Sequence, residues 1–198
     1  MTAPDIPRLG LTERELTAAR VPDYPPPELD QVDLDTFRAV MGSLPTGVSV
    51  VTSHTSDGAP RGLTCSAVCS VSASPPLLLV CVKAPSPTLA AIHESGVFGV
   101  NVLAAGTDQT ARTFAAPVPE RFAGVPWRPG PRTGVPLLGD TVAAAECVLT
   151  RSHIAGDHQL LIGRLVFGRS APDQAPLAFW RTRFSELRLQ PCPKTKGE

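Results

Sequence analysis

The stretch HIAGDHQLLIGRL, residues 153 to 165, joins two long apolar runs through a short polar connection. The runs cover residues 141 to 152 and residues 158 to 169, and the aliphatic and β-branched side chains in both are typical of strands. The Ala-Gly-Asp segment between them has the small and turn-forming residues of a tight connection. The stretch therefore predicts two long strands, with His158 at the start of the second.

Further strands and three short helices are predicted around this pair. Residues 47–54 and 61–72 form a predicted hairpin around the turn SDGAP, and strands are also predicted at 75–83, at 97–104 and from about Arg183. The first predicted helix begins at Asp33 or Asp35 and ends before Pro45. The second covers residues 86–95 with Ser86 as its cap, and the third covers residues 107–115. Because the strands are numerous and the helices short, we expect a mainly β fold. An antiparallel barrel with short peripheral helices is favoured over a doubly wound parallel sheet.

The chain of 198 residues is long enough to bury one hydrophobic core, so we predict a single domain at residues 33–190. Consecutive prolines in VPDYPPPELD favour an extended backbone, and residues 1–32 are predicted to form an arm outside that domain. Residues 191–198 form a predicted C-terminal tail. Residues 117–139 are rich in proline and glycine and have little period, which predicts a long surface loop of the kind that often covers a site.

The charge balance excludes two classes of partner. Lys and Arg number 18 and Asp and Glu number 18, so no basic field draws the protein to nucleic acid or to an anionic membrane.

The longest uninterrupted apolar run, Leu77 to Val82, is far shorter than the ~18 residues of a membrane helix. The N-terminal residues are too charged for a secretory signal peptide. We therefore expect a soluble cytoplasmic protein whose five cysteines are reduced, buried thiols.

Two stretches offer groups that suit a polar ligand. In KAPSPT, Lys83 to Thr88, a strand end with an ammonium group meets a helix start with hydroxyls and free backbone N–H groups, which favours a phosphate. The alternative is an ordinary capped helix. In GLTCSAVCS, residues 62 to 70, the hydroxyls of Thr64, Ser66 and Ser70 recur at even spacings on one strand face. The alternative there is the solvent-facing polar side of a half-buried strand.

His158 is a candidate functional residue, and a plain surface position on a strand is the alternative. His153 lies five residues earlier, so the two imidazoles point to opposite faces of a continuous strand and cannot chelate one ion. No cysteine or carboxylate ligand set accompanies them, so we expect no metal. Asp157 and His158 are adjacent and their side chains diverge on a strand, so Asp157 is expected to stabilise the turn after Gly156 rather than orient the imidazole. The dinucleotide fingerprint GxGxxG and the P-loop motif are both absent.

Seven segments occur in unbroken order between about residue 35 and residue 189: FRAVMGSLPTGVSVVTS, DGAPRGLTCSAVCSVSASPPLLLVCVK, SPTL, FGVNVLA, RFAGV, AAAECVLTRSHIAGDHQLLIGRLV and PLAFW. Together they resemble the flavin reductase-like family, which includes the reductase components of two-component flavin monooxygenases. The resemblance implies an FMN-binding split barrel, a Greek-key antiparallel β-barrel that forms a homodimer with flavin near the subunit interface. It also implies an NAD(P)H:flavin oxidoreductase that reduces FMN or FAD by hydride transfer from NADH or NADPH. The reduced flavin is then expected to pass to a partner monooxygenase.

The resemblance also implies functions for individual residues. The stretches that contact the flavin in the family match Pro45, Thr46, Gly47, Thr64, Cys65 and Ser66, with Ser70 as a further candidate. The stretch that contacts its phosphate matches Lys83, Ser86 and Thr88. The Gly-Asp-His motif matches Gly156, Asp157 and His158, and its histidine lies on the nicotinamide side of the flavin. Because hydride transfer needs no protein acid, His158, the candidate catalytic residue, is expected to orient the nicotinamide or the flavin.

Two places depart from the family pattern. Ala67 stands where many relatives have a second serine, which removes one hydroxyl from the flavin stretch. Ala84 and Pro85 stand where arginine is frequent, which leaves Lys83 as the only cation of the phosphate stretch. Two other functions stay open on this pattern: a flavin-binding electron carrier or module that does not oxidise NADH, and a scaffold that binds a monooxygenase and whose flavin site has decayed. The Gly-Asp-His motif favours the reductase.

Overall fold

The structure is a computed structural model, and it describes residues 30–187 of the chain. These residues belong to two compact units divided between Ala39 and Val40. The predicted C-terminal tail and residues 1–29 of the predicted arm lie outside the described residues. Within residues 30–187, none of the helices combines the length and the apolar content needed to cross a bilayer.

The three predicted helices are confirmed, as α1 (Leu34–Gly42), α2 (Pro87–Ser95) and α3 (Asp108–Ala115). Side chains of the expected type cap the first two. The carboxylate of Asp33 accepts a hydrogen bond of 2.6 Å from the backbone N–H of Thr36, and the hydroxyl of Ser86 accepts one of 3.1 Å from that of Leu89. Helix α2 ends at Gly96, whose positive φ of 70° is the left-handed conformation that glycine adopts without strain.

The strands are β1 (Thr46–Gly47), β2 (Ser49–His54), β3 (Pro60–Cys65), β4 (Val68–Ala73), β5 (Pro76–Lys83), β6 (Val97–Leu103), β7 (Trp127–Pro129), β8 (Pro136–Leu138), β9 (Thr141–Ala155), β10 (His158–Ser170), β11 (Leu177–Trp180) and β12 (Arg183–Glu186). Seven of them pair antiparallel in the order β3-β2-β6-β9-β10-β5-β4. Strands β1, β11 and β12 form a second sheet, and β7 pairs with β8. The mainly β prediction is confirmed.

The large sheet curves round on itself at the connection between β3 and β4. These strands lie at opposite edges of the sheet, yet only Ser66 and Ala67 separate them in the chain. The backbone N–H of Cys81, on β5, donates to the carbonyl of Ala67 at 3.0 Å and joins the two edges. The prediction of one strand over residues 61–72 is therefore wrong, because the chain changes sheet edge in the middle of that run.

The hydrophobic core lies between the curved sheet and α2. The sheet contributes the fully buried Val51, Val80, Phe98 and Leu161, and α2 contributes Ile92. A second buried cluster forms between the barrel and α3, around Val48, Leu103 and Phe114. The apolar run of residues 75–83 contributes Val80 and Val82 to this core.

The described cysteines are unpaired thiols, as predicted, but they are not all buried. Burial raises the pKa of Cys65 to about 11 and that of Cys147 to about 12, so both thiols stay protonated at neutral pH. Cys81 is half-buried, whereas Cys69 is exposed. The buried-thiol prediction is wrong for Cys69, because it lies on the edge strand β4, where the neighbouring Ser70 and Val71 are exposed as well.

The segment 117–139 is only partly the surface loop that its composition predicts. Strands β7 and β8 form a small hairpin inside it, and Val135, Leu137 and Leu138 are buried. The buried carboxylate of Glu146, from β9, accepts hydrogen bonds of 2.6 Å from both the backbone N–H and the hydroxyl of Thr133. Glu146 lies 13 residues from Thr133, so the pattern of residues within the segment does not reveal that this carboxylate orders it.

One strand boundary differs from the prediction, and one strand was not predicted. Strand β9 continues beyond residue 152 to Ala155, because it stays paired with β10 up to the turn. Strand β11 was not predicted, although β12 begins at Arg183 as expected. Strand β11 lies between β1 and β12, so it depends on a partner more than a hundred residues away.

Candidate functional site

The Gly-Asp-His motif forms the turn between β9 and β10. Gly156 and Asp157 are the two loop residues, and Gly156 has a positive φ of 62°, as the first position of a tight hairpin turn of this kind requires. His158 is the first residue of β10 and lies directly opposite Lys83, the last residue of β5. The backbone N–H of Ala84 donates to the carbonyl of Asp157 at 2.9 Å, which fixes the turn against the end of β5.

Asp157 contacts the imidazole of His158, contrary to the sequence prediction. The Asp157 Oδ1 atom and the His158 Nδ1 atom are 2.8 Å apart. The prediction assigned Asp157 to the turn but applied strand geometry to its side chain and that of His158; in the turn the carboxylate folds back to the ring instead. This hydrogen bond from His158 lowers the pKa of Asp157, and the positive charge of Lys83 adds a smaller effect. The motif is therefore a carboxylate-imidazole pair beside a lysine.

A polar contact joins this turn to α2. The side-chain oxygen of Gln159, next to His158, accepts a hydrogen bond of 2.7 Å from the Nε2 of His93 on α2. The hydroxyl of Ser152 on β9 donates to the same oxygen at 3.1 Å. The helix, β9 and β10 are thus tied together next to the candidate histidine, and neither His93 nor Gln159 was singled out in the sequence.

The start of α2 lines a cleft of about 520 Å³. The other walls are the beginning of β3 at Pro60 to Gly62 and the segment 117–122. Thr88, in the first turn of α2, is 1% exposed, and its hydroxyl has no hydrogen-bond partner in the described residues. Ser86 does not line this cleft, and its hydroxyl accepts the capping hydrogen bond from Leu89.

The wall opposite α2 is held by Arg121 and Phe122. The guanidinium of Arg121 donates to the carbonyl of Ala116 at 2.9 Å and to the carbonyl of Gly62 at 2.8 Å. The ring of Phe122 packs edge-on against Phe114 with the centroids 4.9 Å apart. A Cβ on Gly62 would lie 2.8 Å from the Phe114 ring and 3.2 Å from the Phe122 ring, so this close packing requires a glycine. The first part of the predicted loop is therefore a fixed wall of the cleft.

The predicted flavin residues on β3 and β4 do not share one face. The hydroxyl of Thr64 donates to the carbonyl of Ala111 on α3 at 2.6 Å, whereas Ser66 is exposed in the connection between the strands. The Cys65 thiol is buried and donates to the carbonyls of Ala67 and Cys81, at 3.6 and 3.3 Å. The single face predicted from the even spacing is wrong, since β3 ends at Cys65 and Ser70 belongs to β4.

Ser70 lines a different cleft, of about 620 Å³, between β4, β5, β6, β9 and β10. Of the turn before β2, Pro45 and Gly47 are exposed, and Gly47 pairs with Ala178 of β11. The hydroxyl of Thr46 is buried and has no partner in the described residues. The structure thus brings Lys83, Gly156, Asp157 and His158 together at one turn, whereas Thr88, Thr46, Thr64 and Ser70 do not lie at that turn.

Sequence reasoning missed Arg61, which lines the same cleft as Thr88. The available signal was its position: it directly precedes the GLTCS stretch that was already a candidate. Among the side chains of residues 30–187, no group of three or more His, Cys, Asp or Glu is placed to hold a metal ion.

The cleft at α2 suits a phosphate-bearing flavin. Its volume of about 520 Å³ lies within the range of small-molecule sites. The N-terminus of a helix favours an anion, and the buried Thr88 hydroxyl lacks an acceptor that a phosphate oxygen supplies. The residues present therefore fit this group.

Comparison with known proteins identifies the family that the sequence motifs resemble. Residues 41–188 match the flavin reductase like domain. An NADH flavin reductase of Kitasatospora aureofaciens is 49% identical over 166 residues, which cover 83% of this chain and 87% of the relative. The reductase subunit of a flavin-dependent monooxygenase of Rhodococcus jostii is 36% identical over 158 residues, which cover 80% of each protein.

A solved structure supports the relationship in three dimensions. The NADH:FAD oxidoreductase of Streptomyces globisporus superposes with a TM-score of 0.75 at 37% identity, over 83% of this chain and 100% of that protein. The same oxidoreductase has also been solved in complex with NAD and FAD fragments. The curved antiparallel sheet, the Gly-Asp-His turn and these similarities agree, and the chain belongs to the flavin reductase-like family.

Proposed function

We propose that this chain is an NAD(P)H-dependent flavin reductase that reduces FMN or FAD and supplies the reduced flavin to a separate monooxygenase. The observation that carries the proposal is the buried Thr88 hydroxyl, which lacks a partner in the described residues and lines the cleft at the start of α2. A phosphate-bearing cofactor supplies the missing acceptor. The NADH flavin reductase and the monooxygenase reductase subunit among the relatives support the same function.

Two sets of residues are proposed to hold the flavin. The phosphate set is reduced to Thr88, because Lys83 and Ser86, its other sequence candidates, do not line the cleft at the start of α2. The ring set is Pro45 to Gly47, Thr64 to Ser66, and Ser70. A bound flavin supplies a two-electron acceptor for the hydride of reduced nicotinamide. The chain itself positions the two rings and keeps water from between them, which is the main contribution that such a transfer needs from a protein.

His158 is proposed to orient the nicotinamide through its Nε2 atom. The carboxylate of Asp157 is ionised at neutral pH because its pKa is lowered, and an ionised carboxylate only accepts hydrogen bonds. The proton of the neutral imidazole therefore lies on Nδ1, 2.8 Å from Asp157 Oδ1. This leaves Nε2 free to accept a hydrogen bond from the carboxamide N–H of a nicotinamide.

His158→Ala is expected to raise the KM for NADH about fivefold to tenfold, because it removes one hydrogen bond to the substrate, and to change flavin affinity much less. Steady-state kinetics with varied NADH and a flavin-binding titration measure the two effects. Asp157→Asn should give a smaller rise, since the ring keeps its Nε2 but loses the group that fixes its tautomer. Because the pKa of Asp157 is lowered, its charge and the contact with His158 should persist to more acidic pH than the charge of a free aspartate.

His153→Ala is the matched control, because it removes an exposed imidazole from the same face of the hairpin, opposite Leu160 rather than at the turn. The two histidines share this face because the turn separates them, so the prediction that they point to opposite faces is wrong. Its KM for NADH should equal that of the unmodified protein. Equal KM values for His158→Ala and His153→Ala would remove His158 from the nicotinamide site.

The function itself is tested by following NADH and NADPH absorbance with FMN, FAD and riboflavin. We expect flavin-dependent oxidation of at least one nicotinamide, with a flavin that dissociates during dialysis because it acts as a shuttling substrate. A protein that binds flavin but oxidises neither nicotinamide would contradict the reductase and indicate a flavin-binding electron carrier.

The apolar cleft of about 620 Å³ is proposed to be covered by a second copy of the chain. It is lined mainly by aliphatic residues, such as Leu77, Leu78 and Val102, and Val71 beside it on β4 is 47% exposed. Apolar patches of this kind usually mark interfaces. Ser70 lies in this cleft, so its proposed contact with flavin depends on the homodimer. Sedimentation velocity at micromolar concentration should find a dimer, and a monomer would contradict this assignment.

The proposed compartment is the cytoplasm, where thiols stay reduced. The four cysteines of the described residues are all unpaired, which supports this assignment. The proposed reductase domain covers residues 33–190, with the proline-rich arm before it.

A further inference from the structure

The cleft that contains Thr88 lacks the cation that the sequence assigned to it. Lys83 does not line the cleft; it lies opposite His158, and its charge acts on Asp157. The basic side chains that do line it are Arg61 and Arg121. The stretch Lys83 to Thr88, which the sequence assigned to the phosphate, therefore does not supply the cations of this cleft; Arg61 and Arg121 do.

The two arginines are not equivalent. Arg121 donates to the carbonyls of Ala116 and Gly62, so its guanidinium is engaged in holding the wall. Among the residues that the structure describes, Arg61 donates from Nη1 to the carbonyl of Pro60 at 3.0 Å and to no other acceptor, and a guanidinium has five N–H donors. Arg61 therefore keeps donors for a ligand.

The charges around Arg61 do not neutralise it by direct contact. Within residues 30–187, no carboxylate oxygen lies within 4.0 Å of its nitrogens. Asp57 is close enough for the positive charge of Arg61 to contribute to its lowered pKa, and Glu120 lines a smaller cleft on the other side of Arg61. The negative charges of Asp57 and Glu120 balance the positive charges of Arg61 and Arg121, so this surface is not strongly basic. A bound anion would be held by the guanidinium of Arg61 itself.

We propose that Arg61 binds the flavin phosphate in this cleft, opposite the Thr88 hydroxyl at the start of α2. This inference rests on the proposed flavin reductase function. A guanidinium fork matches two phosphate oxygens, and the helix N-terminus and the buried hydroxyl engage the phosphate from the other side. The stretch from Lys83 to Thr88 itself contains no arginine, since Ala84 and Pro85 follow Lys83.

The test compares FMN with riboflavin, which has the same ring and no phosphate. Arg61→Met should lower the affinity for FMN about tenfold or more, measured by quenching of flavin fluorescence, and leave the affinity for riboflavin unchanged. Arg61→Lys should restore part of the FMN affinity, because it keeps the charge and loses the fork. Arg183→Met removes an exposed arginine of β12 outside the cleft and should change neither affinity.

Other results would overturn the assignment. An equal loss of FMN and riboflavin affinity in Arg61→Met would indicate general damage to the site, and no loss of either would exclude a phosphate contact. A raised KM for NADPH but not for NADH, with FMN affinity unchanged, would assign Arg61 to the nicotinamide dinucleotide instead. Binding is measured without NADH, so a protein that binds FMN but oxidises no nicotinamide contradicts only the reductase. If the unmodified protein binds neither flavin, both proposals fail.

Discussion

Gly163→Ala is expected to lower the free energy of unfolding by about 3 kcal/mol, because the added methyl group has no space in the core. A Cβ at this position would lie 2.3 Å from the Cζ atom of Phe98 and 2.9 Å from the Cβ of Cys147. Phe98 is fully buried within the main core cluster, so its ring has no open space into which to move. Urea unfolding followed by circular dichroism measures the change.

Gly168→Ala is the matched control on the same strand. Its Cβ would meet nothing nearer than the carbonyl oxygen of Ala144 at 3.9 Å, so we expect a change within about 0.5 kcal/mol. In a Phe98→Leu background, Gly163→Ala should cost about 1 kcal/mol or less, because the shorter side chain leaves room for the methyl group. Equal effects of the two alanine substitutions in the unmodified background would contradict the packing argument.

Glu146→Ala is expected to lower the free energy of unfolding by about 3 kcal/mol or more, because buried donors lose their acceptor. The carboxylate accepts hydrogen bonds from the backbone N–H groups of Arg132 and Thr133 and from the Thr133 hydroxyl. It also fills the space beside Gly130, where a Cβ would lie 2.4 Å from its Cδ atom. The substitution therefore removes both the acceptor and the packing of the turn between β7 and β8.

Hydrogen exchange locates the expected damage. The amides of Arg132 and Thr133 should exchange much faster in Glu146→Ala, whereas those of β2 should change only as the global stability does. Glu94→Ala is the control, because Glu94 is an exposed carboxylate that accepts one backbone hydrogen bond, from Ser56, and should cost no more than about 1 kcal/mol. A Glu146→Ala protein as stable as Glu94→Ala would contradict the proposed role of Glu146.

The regular elements were predictable where their signals are local. Helix α2 carries a serine cap, a proline at its first position and a glycine after its end, and all three act within one turn. Strands β9 and β10 follow from long runs of aliphatic residues around a tight turn. Strand β11 was missed because its pairing partners, β1 and β12, stabilise a short segment with little pattern of its own.

The site was predictable at the level of motifs but not of contacts. The Gly-Asp-His turn and Thr88 were identified from the sequence, and the structure places both at the ends of the elements that were expected to carry them. The contact between Asp157 and His158 was excluded wrongly, because strand geometry was applied to a residue that lies in the turn. The position of Arg61 in the cleft depends on how β3 packs against α2, and no local pattern encodes that packing.

The sequence by itself determined the antiparallel, strand-rich class, the helix boundaries and the family, because caps, turns, hydrophobic period and motif order are properties of neighbouring residues. The tertiary structure alone decided that β3 and β4 lie at opposite edges of one sheet, which separates Thr64 from Ser70. It also decided that Glu146 orders a distant turn and that Arg61, rather than Lys83, lines the cleft of Thr88. These results depend on contacts between residues far apart in the chain, whose partners are set only when the sheet closes and the helices pack on it.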